Sequence, residues 1–208
     1  MGRPCRTGDR GVIVTTVLVA VAGKHGATAD IAREIAKVLR HELPSTDVEV
    51  RDAADPGDLD RFDAVLVGSA IYMGRWLPAA RHLVERHRAQ LAAVPVWMFS
   101  SGPLGDPPRP VDDLAEVTTL GSSIRARGHR VFAGRLNPAD LRWTERLAVR
   151  AVHSPTGDFR DHDAIHAWAV EVAAGIRGGH GTEGVPLAPV AGTSAPGPAR
   201  SPGGSSTP

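Results

Sequence analysis

Three short stretches of this chain combine residue types that could bind a ligand. Gly23-Lys24-His25-Gly26-Ala27-Thr28 sets two glycines, a cation and a hydroxyl between an apolar run and a helix-forming segment. Backbone N–H groups at such a helix N-terminus, backed by the helix dipole, make an anion site. Thr28 either adds its hydroxyl to a phosphate there or caps the helix. Lys24 and His25 either assist the phosphate or stay solvated, and solvation is the expectation for each. No G-x-G-x-x-G is present, and no glycine stands five residues before Gly23-Lys24, so neither common nucleotide motif fits. The second stretch, Gly68-Ser69-Ala70-Ile71-Tyr72-Met73-Gly74-Arg75-Trp76, holds the only tyrosine and one of 4 tryptophans. Aromatic rings in such a loop suit stacking on a flat ligand, although Trp76 is expected to pack under the helix that follows. The third, Ser100-Ser101-Gly102-Pro103-Leu104-Gly105, offers hydroxyls and amides that can wrap the polar edge of a planar ligand, or is an ordinary connection. No catalytic triad is present. His162 and His166, with Asp158, Asp161 and Asp163 close by, are compatible with a metal, but solvated surface residues are the expectation and no metal is assigned. Loops so poor in titratable groups imply that a cofactor supplies the chemistry.

The elements that must position these loops alternate. Val12 to Val21 reads as a strand buried on both faces, as a parallel sheet requires. A helix follows, with Ile31, Ile35, Val38 and Leu39 on one face and Pro44 at its end. Short strands are predicted at Val48 to Val50 and Ala64 to Gly68, then a helix from about Leu77 to Leu91, then a strand from Val94 to Phe99. Asp112 offers an N-cap for a helix carrying Leu114, Val117, Leu120 and Ile124, with Gly128 closing it. Val131 to Ala133 is the fifth strand. Leu136 to His153 is an extra amphipathic segment, in which Arg142, Arg146 and Arg150 form a basic stripe. Ile165, Trp168, Val172 and Ile176 share one face of the last helix. The reading is an α/β fold, a doubly wound five-stranded parallel sheet in the order 2-1-3-4-5 with helices on both faces. Ligands of such sheets sit beyond the carboxyl ends of the strands, where all three stretches fall.

Composition sets the outer limits. The 208 residues divide into a flexible extension at 1–11, one domain at 12–178, and a Gly/Pro/Ser-rich tail at 179–208 that cannot offset its ordering entropy. A formal charge of +1 gives no reason to expect nucleic acid. The single cysteine, Cys5, excludes an internal disulfide and suggests a reducing compartment, hence the cytoplasm. Arg3, Arg6 and Arg10 before an apolar run also fit a secretory signal, but Val-rich sequence with Thr15 and Thr16 is strand composition.

Leu18 to Ile35, with Gly26-Ala27-Thr28 and Ala32, resembles the FMN phosphate signature of flavodoxins. Three blocks resemble the flavodoxin-type, menaquinone-dependent protoporphyrinogen IX dehydrogenases. They are Lys24 to Thr28 with its helix, Gly68 to Val84 with Ser69-Ala70-Ile71 and Gly74, and Trp143-Thr144-Glu145-Arg146-Leu147 through Thr156-Gly157-Asp158 to the last helix. The resemblance, over about residues 16–177, implies FMN held by Gly23, Lys24, His25, Gly26, Ala27, Thr28, Ser69, Ala70, Ile71, Tyr72, Gly74, Ser100, Ser101 and Gly102. It implies an oxidoreductase of heme biosynthesis that passes hydride equivalents from a porphyrinogen-like substrate to a quinone, with peripheral contact at the inner face of the membrane. Where the flavodoxin pattern has Ser or Thr this chain has Gly23, and where a polar residue is common it has Ala27. The alternatives are an electron carrier with no substrate of its own and a cofactor-free interaction domain.

Overall fold

The computed structural model describes residues 15–24, 26–72, 74–102, 115–136 and 157–178. The extension at 1–11, the tail at 179–208 and most of the segment from Leu136 to His153 lie outside them. Strand β1 (Thr15–Ala22) leads into helix α1 (Ala27–Glu42) and strand β2 (Thr46–Asp52). Strand β3 (Ala64–Tyr72) is followed by a two-residue strand β4 (Arg75–Trp76) and helices α2 (Pro78–Arg86) and α3 (Arg88–Ala92). Then come β5 (Val96–Gly102), α4 (Ala115–Ser123) and β6 (Gly128–Ala133). The short strands β7 (Arg135–Leu136) and β8 (Gly157–Asp158) pair antiparallel before the last helix, α5 (His162–Gly178). The main sheet runs β2-β1-β3-β5-β6, all parallel, with β4 folded back antiparallel on the end of β3. Setting β4 aside, this is the doubly wound 2-1-3-4-5 order expected from the alternation of elements.

The continuous apolar runs are explained by two cores, one on each face. Val17, Val19, Val21, Leu66 and Phe99 face α1 and α5, where Ile31, Ile35, Leu39, Ile165, Trp168 and Val172 meet them. Leu18, Ala20, Val65, Val67 and Met98 face Trp76, Leu83, Leu91, Val117 and Leu120 on the other side. Adjacent residues of one strand thus enter opposite cores, the period-two geometry of extended chain.

Several boundaries differ from the periodicity. β3 continues four residues past Gly68 to Tyr72, and β5 continues through Gly102. Much of the two expected loops is therefore strand, because ladder hydrogen bonds to β1 and to each other carry the backbone onward. The helix expected over Leu77 to Leu91 is broken at His87, whose dihedrals of −109° and 25° leave the helical region. Gly128 does not close α4. The helix stops at Ser123, Arg125 takes the left-handed turn with φ 55°, and Gly128 opens β6.

Gly68 has a steric role in mid-strand. A Cβ there would stand 2.0 Å from the ring of Phe99, which packs edge-to-face on Trp168 with centroids 6.1 Å apart. Gly68→Ala is expected to lower stability by about 2–3 kcal/mol through overpacking. Gly178→Ala, where nothing lies within 4 Å, is expected to have no such effect. Urea-unfolding midpoints of the two variants check the contrast.

Candidate functional site

The first stretch forms the turn between β1 and the N-terminus of α1. Gly26 is the N-cap residue with φ 81°, a left-handed conformation that glycine adopts without a Cβ penalty. No side chain caps the helix, and the first helical bond runs from Asp30 N–H to Gly26 C=O. The amides of Ala27, Thr28 and Ala29 precede that bond and have no intrahelical acceptor. Thr28 does not cap. Its hydroxyl lies 2.7 Å from the Ser101 hydroxyl, and both residues are buried. A Cβ on Gly23 would press to 3.1 Å from the Thr28 side chain, so a larger residue at 23 would disturb this pair.

The second stretch ends in a tight hairpin, with Ile71 opposite Trp76 and Tyr72 opposite Arg75. Gly74 turns it with φ 77°. Tyr72 is 48% exposed, and the Lys24 ammonium stands over its ring, 4.0 Å from the centroid. Lys24 is thus tied to the second stretch and is not simply solvated, because a cation gains from the ring's electron-rich face. Trp76 is buried, as expected, and its indole N–H donates to Ser100 Oγ at 2.7 Å. Ser69, also buried, accepts from Leu77 N–H at 3.0 Å and donates to the Ala70 carbonyl at 2.9 Å.

The third stretch is the one that joins the others. Ser100 and Ser101 are neighbours on β5 and point to opposite faces, one toward Trp76 and one toward Thr28. Their hydroxyls are buried in protein contacts, not presented at the open edge. Gly102 accepts a bond from Gly134 N–H at 2.9 Å, and Gly134 in turn accepts from Phe159 N–H at 3.2 Å. Together the three stretches bring Gly23, Lys24, Gly26, Ala27, Thr28, Ser69, Ala70, Ile71, Tyr72, Gly74, Ser100, Ser101 and Gly102 to the carboxyl edge of the sheet. His25 lies outside the described residues.

Three residues near these stretches were not singled out by the sequence. His129 of β6 places Nε2 2.8 Å from Ser100 Oγ, and burial pushes its pKa down to about 4. Arg160 pairs with Asp158 and reaches Asp30 in the first turn of α1 at 3.3 Å. Asp158, first of all, holds the Arg160 guanidinium above its usual pKa. Phe159 and Tyr72 are the exposed large apolar side chains among the described residues. Only His129 had a sequence signal, as a histidine next to a predicted strand. His162 is paired with Glu34 at 2.8 Å, and no cluster of three metal-ligating side chains occurs among the described residues.

The family model for the flavodoxin domain matches residues 18–163, well over half of the chain. The chain belongs to the flavodoxin-domain family. Within reach of this flavodoxin domain is the protoporphyrinogen IX dehydrogenase [quinone] of Escherichia coli K12, 22% identical over 148 residues, covering 69% of this chain and 82% of the relative. A flavodoxin from the domain Archaea superposes with a TM-score of 0.54 at 14% identity, covering 78% of this chain and 99% of that one. A Streptococcus pneumoniae flavodoxin gives 0.51 at 15% identity, covering 79% and 99%. These two likenesses establish the fold. Arg160, which follows the β7–β8 pair, reaches Asp30 in the first turn of α1 of this flavodoxin domain.

Two outcomes follow for the flavin-free protein. Thr28→Val strips Ser101 of its buried partner and is expected to cost about 1–3 kcal/mol, while Thr28→Ser keeps the bond. Chemical denaturation of the two variants measures the difference. A histidine whose folded pKa lies at about 4, below the ordinary 6.5, binds its proton more readily in the unfolded chain. Its stabilising effect is therefore complete above pH 6.5 and is lost as the pH falls toward 4, by on the order of 3 kcal/mol. The stability of the wild type is expected to fall more steeply over that window than that of His129→Gln, as unfolding curves at pH 7, 5.5 and 4.5 would show.

Proposed function

We propose that this flavodoxin domain binds FMN and works as an FMN-dependent oxidoreductase on a reduced, porphyrinogen-like substrate, with a quinone as acceptor. One observation carries the cofactor reading. An uncapped N-terminus of the 16-residue helix α1 stands at the same sheet edge as a half-exposed tyrosine ring. Unpaired amides at a helix start suit a phosphate, and the ring suits a flat heterocycle, so the edge fits a mononucleotide carrying one of each. The amides following Gly26 would hold the phosphate, and Tyr72 would lie against the ring. The hydroxyls of Thr28, Ser100 and Ser101 would act indirectly by fixing the three stretches. Lys24, over the Tyr72 ring, brings positive charge between the two subsites.

When bound, FMN would supply the hydride-accepting chemistry. The chain's own contribution would be binding and orientation, since the three stretches, as far as they are described, hold no titratable side chain besides Lys24, Tyr72 and Arg75. The likeness to protoporphyrinogen IX dehydrogenase [quinone] supports the substrate class. No helix among the described residues is long and apolar enough to cross a membrane. A lipid-borne quinone would be met at the membrane surface. Arg142, Arg146 and Arg150, which lie outside the described residues, would form the basic stripe that serves that contact.

Incubation with FMN followed by gel filtration is expected to leave a yellow protein near one flavin per chain. Tyr72→Ala is expected to weaken FMN by about tenfold to a hundredfold through lost stacking, read by flavin-fluorescence titration. A colourless product at saturating FMN would overturn the cofactor reading in favour of an interaction domain.

A further inference from the structure

Trp76 is a large side chain with one polar atom, and it is almost fully buried among Val67, Ala80, Leu83 and Met98. An indole N–H in such surroundings must find an acceptor, and Ser100 Oγ at 2.7 Å is that acceptor. A hydroxyl that accepts from an indole still has a proton to donate. His129 Nε2 receives it at 2.8 Å, provided the ring is neutral with its proton on Nδ1. The direction of every bond is then set, from Trp76 to Ser100 to His129. The Trp76 and His129 rings also meet edge-on, with centroids 6.3 Å apart.

The register shows what this chain of bonds holds. His129 lies beside Met98 on β5 and reaches diagonally to Ser100, two residues on. Trp76 is opposite Ile71, and its neighbour Arg75 is opposite Tyr72. Fixing the indole therefore fixes β4, and β4 sets the backbone that presents Tyr72. We propose that His129 is a positioning residue for the flavin-stacking face, acting through Ser100 and Trp76 to set the hairpin that carries Tyr72. This assignment rests on the FMN reading above.

The competing anchor of the hairpin is ionic. Glu116 of α4 accepts from Arg75 at 2.8 Å and from Arg81 at 2.9 Å. The Arg75 side chain is 66% exposed, and ion pairs in water contribute little. Buried hydrogen bonds whose loss leaves an indole N–H unsatisfied contribute more. The same burial keeps His129 neutral, as the acceptor role requires. Arg75 on β4 and Arg81 on α2 pair with Glu116 on α4, α2 also carries Glu85 and Arg86, and the depression of the His129 pKa comes from burial.

The test uses the full chain, nitrogen-15 labelled, with and without FMN. Trp76→Phe assigns the indole N–H resonance of Trp76 by its disappearance. His129→Phe keeps the ring bulk and removes the acceptor. It is expected to speed solvent exchange of the Trp76 indole N–H at least tenfold and to weaken FMN about tenfold. His129→Gln, whose side-chain carbonyl can reach the place of Nε2, is expected to keep both within about threefold of wild type. Should His129→Phe fail to fold, Ser100→Ala removes the middle link and carries the same expectations. Wild-type indole exchange together with wild-type FMN affinity in His129→Phe or Ser100→Ala would overturn the assignment. If the wild type takes up no FMN while the indole signal responds as stated, the hydrogen-bond chain stands and the cofactor reading falls instead.

Discussion

Two adjacent hydroxyls at the end of β5 hold the carboxyl edge of this protein together. Consecutive residues of a strand point to opposite faces, so Ser100 and Ser101 reach into different layers. Ser101 ties the start of α1 through Thr28, and Ser100 ties the β3–β4 hairpin through Trp76. One strand thus sets both of the other loops at once, the one after β3 beside it and the one after β1 beyond. Each bond is buried, and a buried hydroxyl without its partner carries a desolvation penalty of about 1–3 kcal/mol. Slippage of either loop is opposed on both sides of the sheet.

That arrangement is possible because the sheet is covered on both faces. α1 and α5 seal one core, and α2, α3 and α4 the other. Dense packing is reached by setting large against small. Phe99 takes the space left by Gly68, and Trp97 the space left by Gly175. The price in designability is that such pairs tolerate no added methyl group. The half-buried ion pair of Arg160 with Asp30 and the hydrogen bond between His162 and Glu34 stitch the last segment to α1.

The same constraints shape what the edge can do. Its hydroxyls face inward, and the exposed side chains of the three stretches, as far as they are described, are the Tyr72 ring and the Lys24 and Arg75 cations. On the reading proposed above, such an edge would bind and orient a ligand, and chemistry beyond that would come from the ligand itself. Gly23 fits this division. It lacks the side chain that would contact a phosphate, and its missing Cβ leaves room for the Thr28 hydroxyl to remain with Ser101.

The order of strands and helices was legible in the sequence, because each depends on local periodicity. Leu18 and Val19, or Ile31 and Ile35, reveal their elements within a few residues. So were the three stretches at the carboxyl edge, since a doubly wound sheet leaves its ligand loops nowhere else. The direction in which each polar side chain turned was not legible. In a strand buried on both faces no alternation distinguishes them, and serines at 100 and 101 look equally like loop residues. The partner of Thr28 is 73 residues away, and the partners of Ser100 come from β4 and β6. Nothing local couples such positions. Local pattern determined which elements form and in what order, and only the packing of distant elements decided that these hydroxyls face one another and that His129 stands behind them.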